Sequence, residues 1–275
     1  MAGLDRFVIK KLRNSACEIM WQVFPMRSEG FSSATYTGQG GLVRGPDGTV
    51  KFLTAAHNTC SENDREGVWE DHSRKFRCFT FRGLSARMLE IPRAGWERTE
   101  EWSAANAHGL TRTDKEGKEL TWKYGIDISL GPEISASDES AQQLLKIISV
   151  KDVVPDDFVY TTGLEIGMAV YTVDGPNYDE EMIVNRGQKG LTKEVLPDIL
   201  GKAKELLIFT GRIKRFYEDH FEHDVNAFAG CSGGHLVVLQ HGHPHFGKVL
   251  GVHVGSKVQI EDNIAFKVAG VFDKF

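Results

Sequence analysis

Short apolar runs, separated by glycine, proline and serine, follow one another along most of this chain of 275 residues. Residues 17–24, 75–81 and 86–91 either alternate apolar with polar side chains or are rich in aromatic and β-branched ones. Both patterns are typical of strands, because a pleated strand turns successive side chains to opposite faces. The sequence therefore predicts a chain that is mostly β.

Two segments break this pattern and predict helices. Residues 137–150 (SDESAQQLLKIISV) open with serine and aspartate ahead of a glutamate and an apolar periodic run, which is the signature of a capped helix. Residues 191–209 carry a weaker start signal, a threonine with a glutamate in the first turn, followed by spaced leucines and isoleucines.

The segment Asn226–Leu239 (NAFAGCSGGHLVVL) has the form of a loop that presents a nucleophilic serine. Glycines on both sides of Ser232 let the backbone turn tightly. The N–H groups of Gly230 and Ser232 can then point at one position, where an oxyanion would be held. The apolar residues 236–239 predict a buried strand that anchors this loop.

A serine hydroxyl needs a base, and two other segments supply candidates. Residues 51–60 (KFLTAAHNTC) predict an apolar strand that ends in two alanines and His57, where small side chains leave room for an imidazole. Residues 125–130 (GIDISL) place one carboxylate, Asp127, inside an apolar run. A buried charge is costly unless it is paired, and a histidine N–H is an obvious partner.

Each of these features also has a simpler explanation. His57 could be a core histidine, Asp127 a strand-end residue bound to a backbone N–H, and the serine loop an ordinary turn. Their occurrence together, in the order His57, Asp127, Ser232, favours a catalytic triad.

The motifs TAAH, DISL and GCSGG resemble those of the chymotrypsin-fold serine proteases and occur in that family's chain order. Further segments that resemble strands of that fold lie at residues 35–43, 167–171, 211–213 and 251–253. The resemblance implies an all-β fold of two antiparallel six-stranded β-barrels with the substrate in the cleft between them. It also implies a serine endopeptidase that works through an acyl-enzyme.

Three domains follow from this resemblance. An N-terminal barrel over residues 1–132 would carry the histidine and the aspartate, and a C-terminal barrel over residues 161–275 would carry the serine and the substrate pocket. A partly helical linker over residues 133–160 would join them. The first predicted helix falls in this linker, and the second is an insertion in the C-terminal barrel.

Cys231 is the alternative nucleophile, because a thiol is intrinsically more nucleophilic and some viral proteases of this fold use cysteine. Ser232 fits the glycine pattern on both sides and Cys231 does not, so we interpret Cys231 as a buried filler residue. In digestive relatives an aspartate at this position pairs with the amino terminus that zymogen cleavage creates. With a cysteine there, activation of that kind is not expected.

Residues 251–256 (GVHVGS) resemble the substrate-pocket strand of the main proteases of positive-strand RNA viruses, arteriviruses among them, and of bacterial glutamyl endopeptidases. The resemblance implies that His253 donates to the side chain before the scissile bond and selects glutamate or glutamine. A neutral imidazole offers one fixed donor, which an apolar side chain would leave unpaired. A structural histidine in a half-buried strand is the alternative.

The implied substrate-binding residues extend beyond this histidine. Related viral enzymes often carry a threonine five residues before the nucleophile, where this chain has Ala227, and Asn226 is the candidate to replace it. Backbone after Gly255 is expected to pair with the substrate as an added strand. The complete set is His253, Ser256, Asn226, Ala227, Val254 and Gly255.

Composition limits the remaining possibilities. No stretch is apolar for the roughly 18 residues that a membrane span needs, and residues 1–17 lack the apolar core of a secretory signal. Four cysteines are too few for a disulfide scaffold of this size, so we expect reduced thiols and a cytoplasmic setting, the host cytoplasm if the protein is viral. Short basic runs at residues 74–77 and 212–215 give only weak support for nucleic-acid binding, because the net charge is −5.

Metal binding is not expected either. Three histidines within residues 241–245 lack a nearby carboxylate or cysteine ligand, which favours a solvated hairpin tip over a zinc site. No cofactor is expected.

Three functional hypotheses remain open at this point. The first is a protease that processes a viral polyprotein after glutamate or glutamine. The second is a cellular or bacterial peptidase of the same fold with another specificity. The third is a catalytically silent homologue that binds peptides without cutting them.

Overall fold

The computed structural model describes residues 5–23, 34–58, 77–82, 85–90, 97–98, 110–113, 119–122, 127–148, 161–171, 206–217, 220–227, 230–256 and 263–268. The helices in these ranges are α1 (Arg6–Ser15) and α2 (Asp138–Gln142), and one 3₁₀ turn covers Ala56–Asn58. The strands in the first half of the chain are β1 (Ala16–Val23), β2 (Ala34–Arg44), β3 (Val50–Thr54), β4 (Arg77–Arg82), β5 (Ser85–Glu90), β6 (Glu97–Arg98), β7 (Leu110–Thr113), β8 (Glu119–Trp122) and β9 (Ser129–Glu133). Those in the second half are β10 (Leu145–Ile147), β11 (Glu165–Tyr171), β12 (Leu206–Phe216), β13 (His220–His223), β14 (His235–Val238), β15 (Lys248–Ser256) and β16 (Asn263–Lys267).

Six strands of the C-terminal half form a closed barrel. They pair in the order β14-β11-β12-β13-β16-β15, and β15 pairs back with β14. Every second residue of β11, Ile166, Met168 and Val170, is fully buried in one apolar cluster with Ile213 and Phe221. This alternation is the two-residue period of a strand with one face turned to a core.

The strands of the N-terminal half pair in the antiparallel order β5-β4-β1-β2-β3-β9-β6. A cluster that includes Cys17, Ile19, Leu42 and Phe52 packs on β1, β2 and β3. Strands β7 and β8 form a separate two-stranded sheet. The prediction of a mostly-β chain is therefore confirmed, whereas the proposed domain boundaries at residues 132 and 160 stay a prediction.

Strand β10 connects the two halves, since it pairs in parallel with β2 on one side and with β15 on the other. The helix predicted over residues 137–150 is too long, because α2 ends at Gln142 and Leu145–Ile147 is this strand. The backbone N–H of Leu145 donates to Ser15 Oγ at 2.8 Å, a tertiary contact that fixes the extended form. Pairing with two strands overrides the local helical preference of the sequence.

The second predicted helix, residues 191–209, lies outside the described residues as far as residue 205. Its last four residues do not form a helix but begin β12, where Leu206 pairs with Tyr171 and Phe209 with Met168. An apolar run such as Leu-Leu-Ile-Phe suits either structure, and here the neighbouring strand decides.

Helix α1 is not predicted from the sequence. Asp5 caps it, since Oδ1 of its side chain accepts the backbone N–H of Phe7 at 2.6 Å. Val8 and Leu12 are buried one turn apart and belong to the same apolar cluster as Val43 and Leu53. Neither described helix is long and apolar enough to cross a membrane.

Candidate active site

His57 and Asp127 come together because their strands are neighbours. Strand β3 ends at Thr54, two fully buried alanines follow, and His57 sits in the 3₁₀ turn after them. Asp127 lies just before β9, which pairs with β3 through Ser129 and Thr54. The two alanines have small side chains, which leave room for the His57 imidazole beside the end of β3.

The carboxylate of Asp127 holds His57 at two points. Its Oδ2 lies 2.6 Å from His57 Nδ1, and its Oδ1 accepts the backbone N–H of His57 at 2.8 Å. Asp127 is fully buried, whereas 24% of the His57 side chain is exposed. The two contacts fix both the position of the turn and the orientation of the ring.

The environment of His57 favours its protonated form. Burial lowers the pKa of His57, but the charge of Asp127 and its hydrogen bond raise it more, so that the pKa stands above the usual 6.5. With Nδ1 donating to the carboxylate, the lone pair of the neutral ring is on Nε2. That nitrogen is therefore the one that can take up a proton.

The loop before β14 depends on two glycines in the left-handed backbone region, Gly230 with φ of 95° and Gly233 with φ of 94°. Other residues rarely adopt this conformation. A Cβ atom at Gly233 would also lie 1.9 Å from the carbonyl oxygen of Gln39. The glycine pattern seen in the sequence thus reflects both the turn and its contact with β2.

Hydrogen bonds on two sides tie this loop to its surroundings. The carbonyl of Ser232 accepts the backbone N–H of Gln39 at 2.8 Å and Nδ2 of Asn58 at 2.7 Å. The N–H of Gly233 donates to the carbonyl of His253 at 2.7 Å. The loop is therefore held by β2 and the His57 turn on one side and by β15 on the other.

The Ser232 hydroxyl donates to the carbonyl of Val254 at 3.3 Å, a long hydrogen bond. A rotation of the side chain can exchange such a bond for another, and hydrogen bonds in substrate-free sites are often loose. Within the described residues, the N–H groups of Gly230 and Ser232 donate to no protein acceptor. Both are the groups predicted to hold an oxyanion.

His253 is buried in β15 and contacts a second buried histidine. Its Nδ1 lies 3.3 Å from Nε2 of His223 in β13, with the rings edge to face. Burial lowers the pKa of His253 to about 3, and the charge of nearby His57 acts in the same direction. Burial, followed by the charge of His253, places the pKa of His223 well below its usual value. Both rings are therefore neutral near pH 7.

The remaining residues predicted for the pocket lie at the end of β15 and after β13. Val254 forms a bulge between β15 and β16, Gly255 follows it, and Ser256 ends the strand. Ala227 is buried and Asn226 half-buried, in the segment that follows the end of β13 at His223. No hydrogen bond within the described residues links these two residues to His253 or Ser232, so their assignment stays a prediction.

Two buried polar residues at the site are absent from the sequence prediction. Asn58, directly after His57, donates to the carbonyl of Ser232. His235, directly after the serine loop, donates from Nε2 to the carbonyl of Leu53 in β3 at 2.9 Å, and burial lowers its pKa to about 4. The available signal was a polar residue beside an apolar motif, because such a residue needs a partner once it is buried.

Other sequence interpretations can be placed as well. Cys231 is fully buried in the apolar cluster of the C-terminal barrel. His245 is buried too, unlike the solvated tip that the histidine-rich turn predicts, and its Nδ1 lies 3.3 Å from Lys248 Nζ. Among the described residues, no three potential ligands cluster as a metal site would require.

Several solved structures resemble this one. A Glu endopeptidase superposes with a TM-score of 0.51 at 14% identity, over 95% of this chain and 88% of that one. The Rv3671c protease of M. tuberculosis in its active form gives 0.46 at 12% identity, over 97% and 84%. The tobacco vein mottling virus protease gives 0.44 at 14% identity, over 100% and 85%. No family model matches the sequence, and no curated protein matches it either.

At such low identity, the likeness to the Glu endopeptidase shows the fold alone. Together with the closed barrel, it supports the predicted chymotrypsin-type fold class. What the chain does must be argued from its own residues.

Proposed function

We propose that this chain is a serine endopeptidase with Ser232 as nucleophile, His57 as general base and Asp127 as the group that orients the base. The observation that carries the proposal is the fully buried carboxylate bound to both Nδ1 and the backbone N–H of His57. A buried charge that holds one histidine tautomer beside a glycine-framed serine is what acyl transfer to water requires. The resemblance of three motifs to chymotrypsin-fold proteases supports the same assignment.

In the proposed reaction, Ser232 Oγ attacks the carbonyl carbon of the substrate while its proton passes to His57 Nε2. The negative charge moves to the carbonyl oxygen, where the N–H groups of Gly230 and Ser232 receive it, a contribution of about 3 kcal/mol for one such donor. The leaving amine takes the proton from His57, and an acyl-enzyme remains. Water then attacks the ester with the same base, which releases the acid and restores the serine.

The two buried histidines support a preference for a side chain with an accepting oxygen. If His253 Nδ1 donated to His223, Nδ1 of His223 would be a buried N–H, and this atom has no partner in the described part of the chain. If His223 donates instead, its Nδ1 is only a bare acceptor. Unpaired buried donors are rarer than unpaired acceptors. The second arrangement leaves the hydrogen of His253 on Nε2, free to donate to a substrate.

The substrates we propose are therefore peptides with glutamate or glutamine before the cut, bound by His253 with Ser256, Asn226, Ala227, Val254 and Gly255. A neutral donor discriminates strongly against a side chain that leaves it unpaired. Processing of a viral polyprotein is the setting we propose, and the likeness of GVHVGS to the viral pocket strand supports it.

A fluorophosphonate probe tests the nucleophile, because an activated serine oxygen attacks its phosphorus, displaces fluoride and stays phosphonylated. We expect one probe per parent chain, located on Ser232 by peptide mapping, and no labelling of Ser232→Ala. Cys231→Ala is the matched control, since it removes the neighbouring candidate nucleophile and should still be labelled. A parent that resists the probe, or a Ser232→Ala variant that cleaves peptides as fast as the parent, would contradict the proposal.

A further inference from the structure

Asn58 is a buried polar residue in a position that joins the two halves of the candidate site. It ends the 3₁₀ turn that begins at Ala56, so its peptide is bonded directly to His57. Only 2% of its surface is exposed. A buried amide needs hydrogen-bond partners, and those of Asn58 show what the residue holds in place.

Three acceptor atoms lie within hydrogen-bond distance of the two hydrogens on Asn58 Nδ2. The shortest contact, 2.7 Å, is to the carbonyl of Ser232, and the others are to Thr54 Oγ1 at 3.0 Å and to the carbonyl of Gln39 at 3.3 Å. Thr54 Oγ1 in turn donates to the same Gln39 carbonyl at 2.7 Å. One amide therefore links the serine loop to β2, to β3 and to the histidine turn.

The backbone at two glycines packs closely against this network. A Cβ atom at Gly38 would lie 2.7 Å from the Asn58 side chain. One at Gly233 would lie 2.4 Å from Thr54 Oγ1 and 2.7 Å from Asn58 Nδ2. Both positions are glycine, so the backbone of the loop can approach the amide directly.

We propose that Asn58 is a positioning residue that sets the distance between the Ser232 hydroxyl and the His57 ring. Asp127 fixes His57 through its backbone N–H, and Asn58 transmits that position to the carbonyl of Ser232 through one covalent step and one hydrogen bond. The inference rests on the proposed function, because it matters only if His57 and Ser232 react together. Misplacement by about 1 Å can cost roughly 100-fold in rate.

The test compares the parent, Asn58→Ala and Asn58→Asp by the rate of labelling with the fluorophosphonate and by peptide cleavage. Asn58→Asp keeps the shape but places a carboxylate oxygen against the Ser232 carbonyl. We expect both variants to lose about 30- to 100-fold in labelling rate and in kcat, with KM nearly unchanged. The pKa of His57, followed by NMR of the imidazole, should stay raised, since its contact with Asp127 is intact.

Ser15→Ala is the matched control, because it too removes a buried hydrogen bond between two elements, from the N–H of Leu145. It should lower the melting temperature without changing the labelling rate of the folded protein. If the Asn58 variants fail to fold, Thr54→Val takes their place in the test. It has nearly the same volume, removes the hydroxyl of the same network, and should lower the labelling rate about 3- to 10-fold.

Equal labelling rates in the parent and in folded Asn58 variants, or in Thr54→Val, would overturn the inference and leave the proposed function standing. A parent that the probe never labels would overturn the proposed function itself. Loss of melting temperature with a full rate per folded chain would show that Asn58 is merely structural, which also overturns the inference.

Discussion

Two histidines flank the serine loop, and they are tuned in opposite directions. His57 lies at the end of β3 with a buried carboxylate 2.6 Å away, and its pKa is raised. His253 lies in β15 with a second histidine 3.3 Å away, and burial lowers its pKa to about 3. One ring is therefore prepared to accept a proton, and the other is kept neutral.

The difference comes from the neighbour rather than from burial. Burial lowers the pKa of both histidines, but only Asp127 supplies a charge that outweighs it. In the proposed reaction the base must become an imidazolium, whereas the pocket residue must offer one fixed N–H to the side-chain oxygen of glutamate or glutamine. Under this proposal the same residue type serves two purposes, because the two halves of the chain surround it differently.

Removing the charge beside His57 should break the comparison most severely. We expect Asp127→Asn to lower kcat about 10⁴-fold, because the ring loses the partner that holds its tautomer and stabilises its charge. In the parent, kcat/KM should rise with pH through a midpoint above 6.5, as His57 loses its proton. In the variant this midpoint should move to lower pH.

Asp47→Asn provides the control for this change. Asp47 accepts two hydrogen bonds from Thr49 in an exposed turn, so its variant likewise removes the charge of a hydrogen-bonded carboxylate, but away from the site. A pH profile of kcat/KM for the two variants against the parent is the measurement. An unshifted acid limb in Asp127→Asn would show that Asp127 does not set the pKa of the base.

The other histidine should affect the choice of substrate. We expect His253→Ala to lower kcat/KM about 100-fold for peptides with glutamine or glutamate before the cut and to spare other peptides, because only the former lose a donor. His241→Ala, in an exposed turn, is the control. Profiling a peptide library with each variant would make the comparison, and an unchanged preference would refute the pocket assignment.

Local features of the sequence indicate the contact between His57 and Asp127. The alanines before His57 and the lone carboxylate in GIDISL each have a local physical reason, and pairing of β3 with β9 brings them together. The glycines around Ser232 are equally local signals, because the backbone there needs left-handed torsion angles. The order of the three motifs, His57 then Asp127 then Ser232, favours a catalytic triad, which the spacing between them alone does not.

The sequence does not indicate which residues lie next to His253. His223 lies in another strand, 30 residues away in the chain, and meets His253 only through the pairing of β13, β16 and β15. The sequence predicts a helix where β10 lies, but pairing with two parallel strands from distant segments makes this stretch extended. Long-range pairing of this kind leaves no local pattern in the sequence.

The pH dependence of stability should show a smaller effect of the same contrast, here between His57 and a third buried histidine, His235. The folded pKa of His235 is about 4, below the 6.5 of the unfolded chain, so the unfolded state binds more protons between these values. The free energy of unfolding should therefore fall by about 2 kcal/mol from pH 7 to pH 5 for this group. His57, with its raised pKa, contributes in the opposite sense, and its stabilisation is lost as pH rises through its folded pKa.

His235→Gln removes this titration while keeping an amide that can donate to Leu53. Urea unfolding of parent and variant at pH 5 and pH 7 should show a pH dependence smaller by about 2 kcal/mol in the variant. His241→Gln, at an exposed position, should leave the dependence unchanged. Equal dependence in parent and His235→Gln would mean that His235 is not buried in its neutral form.

The smallest expected effect comes from a substitution that gives His253 the kind of neighbour that His57 has. His223→Asp sets a carboxylate beside His253, as Asp127 stands beside His57, and should raise the pKa of His253 so that it carries a charge near pH 7. A charged ring favours a carboxylate over an amide, so the preference for glutamate over glutamine should increase about 10-fold relative to His223→Asn, which has the same size without the charge. The measurement is kcat/KM for two peptides that differ only in this residue, and the shift should grow as pH falls. If the two variants give the same ratio, the neighbour of His253 does not control what the pocket accepts.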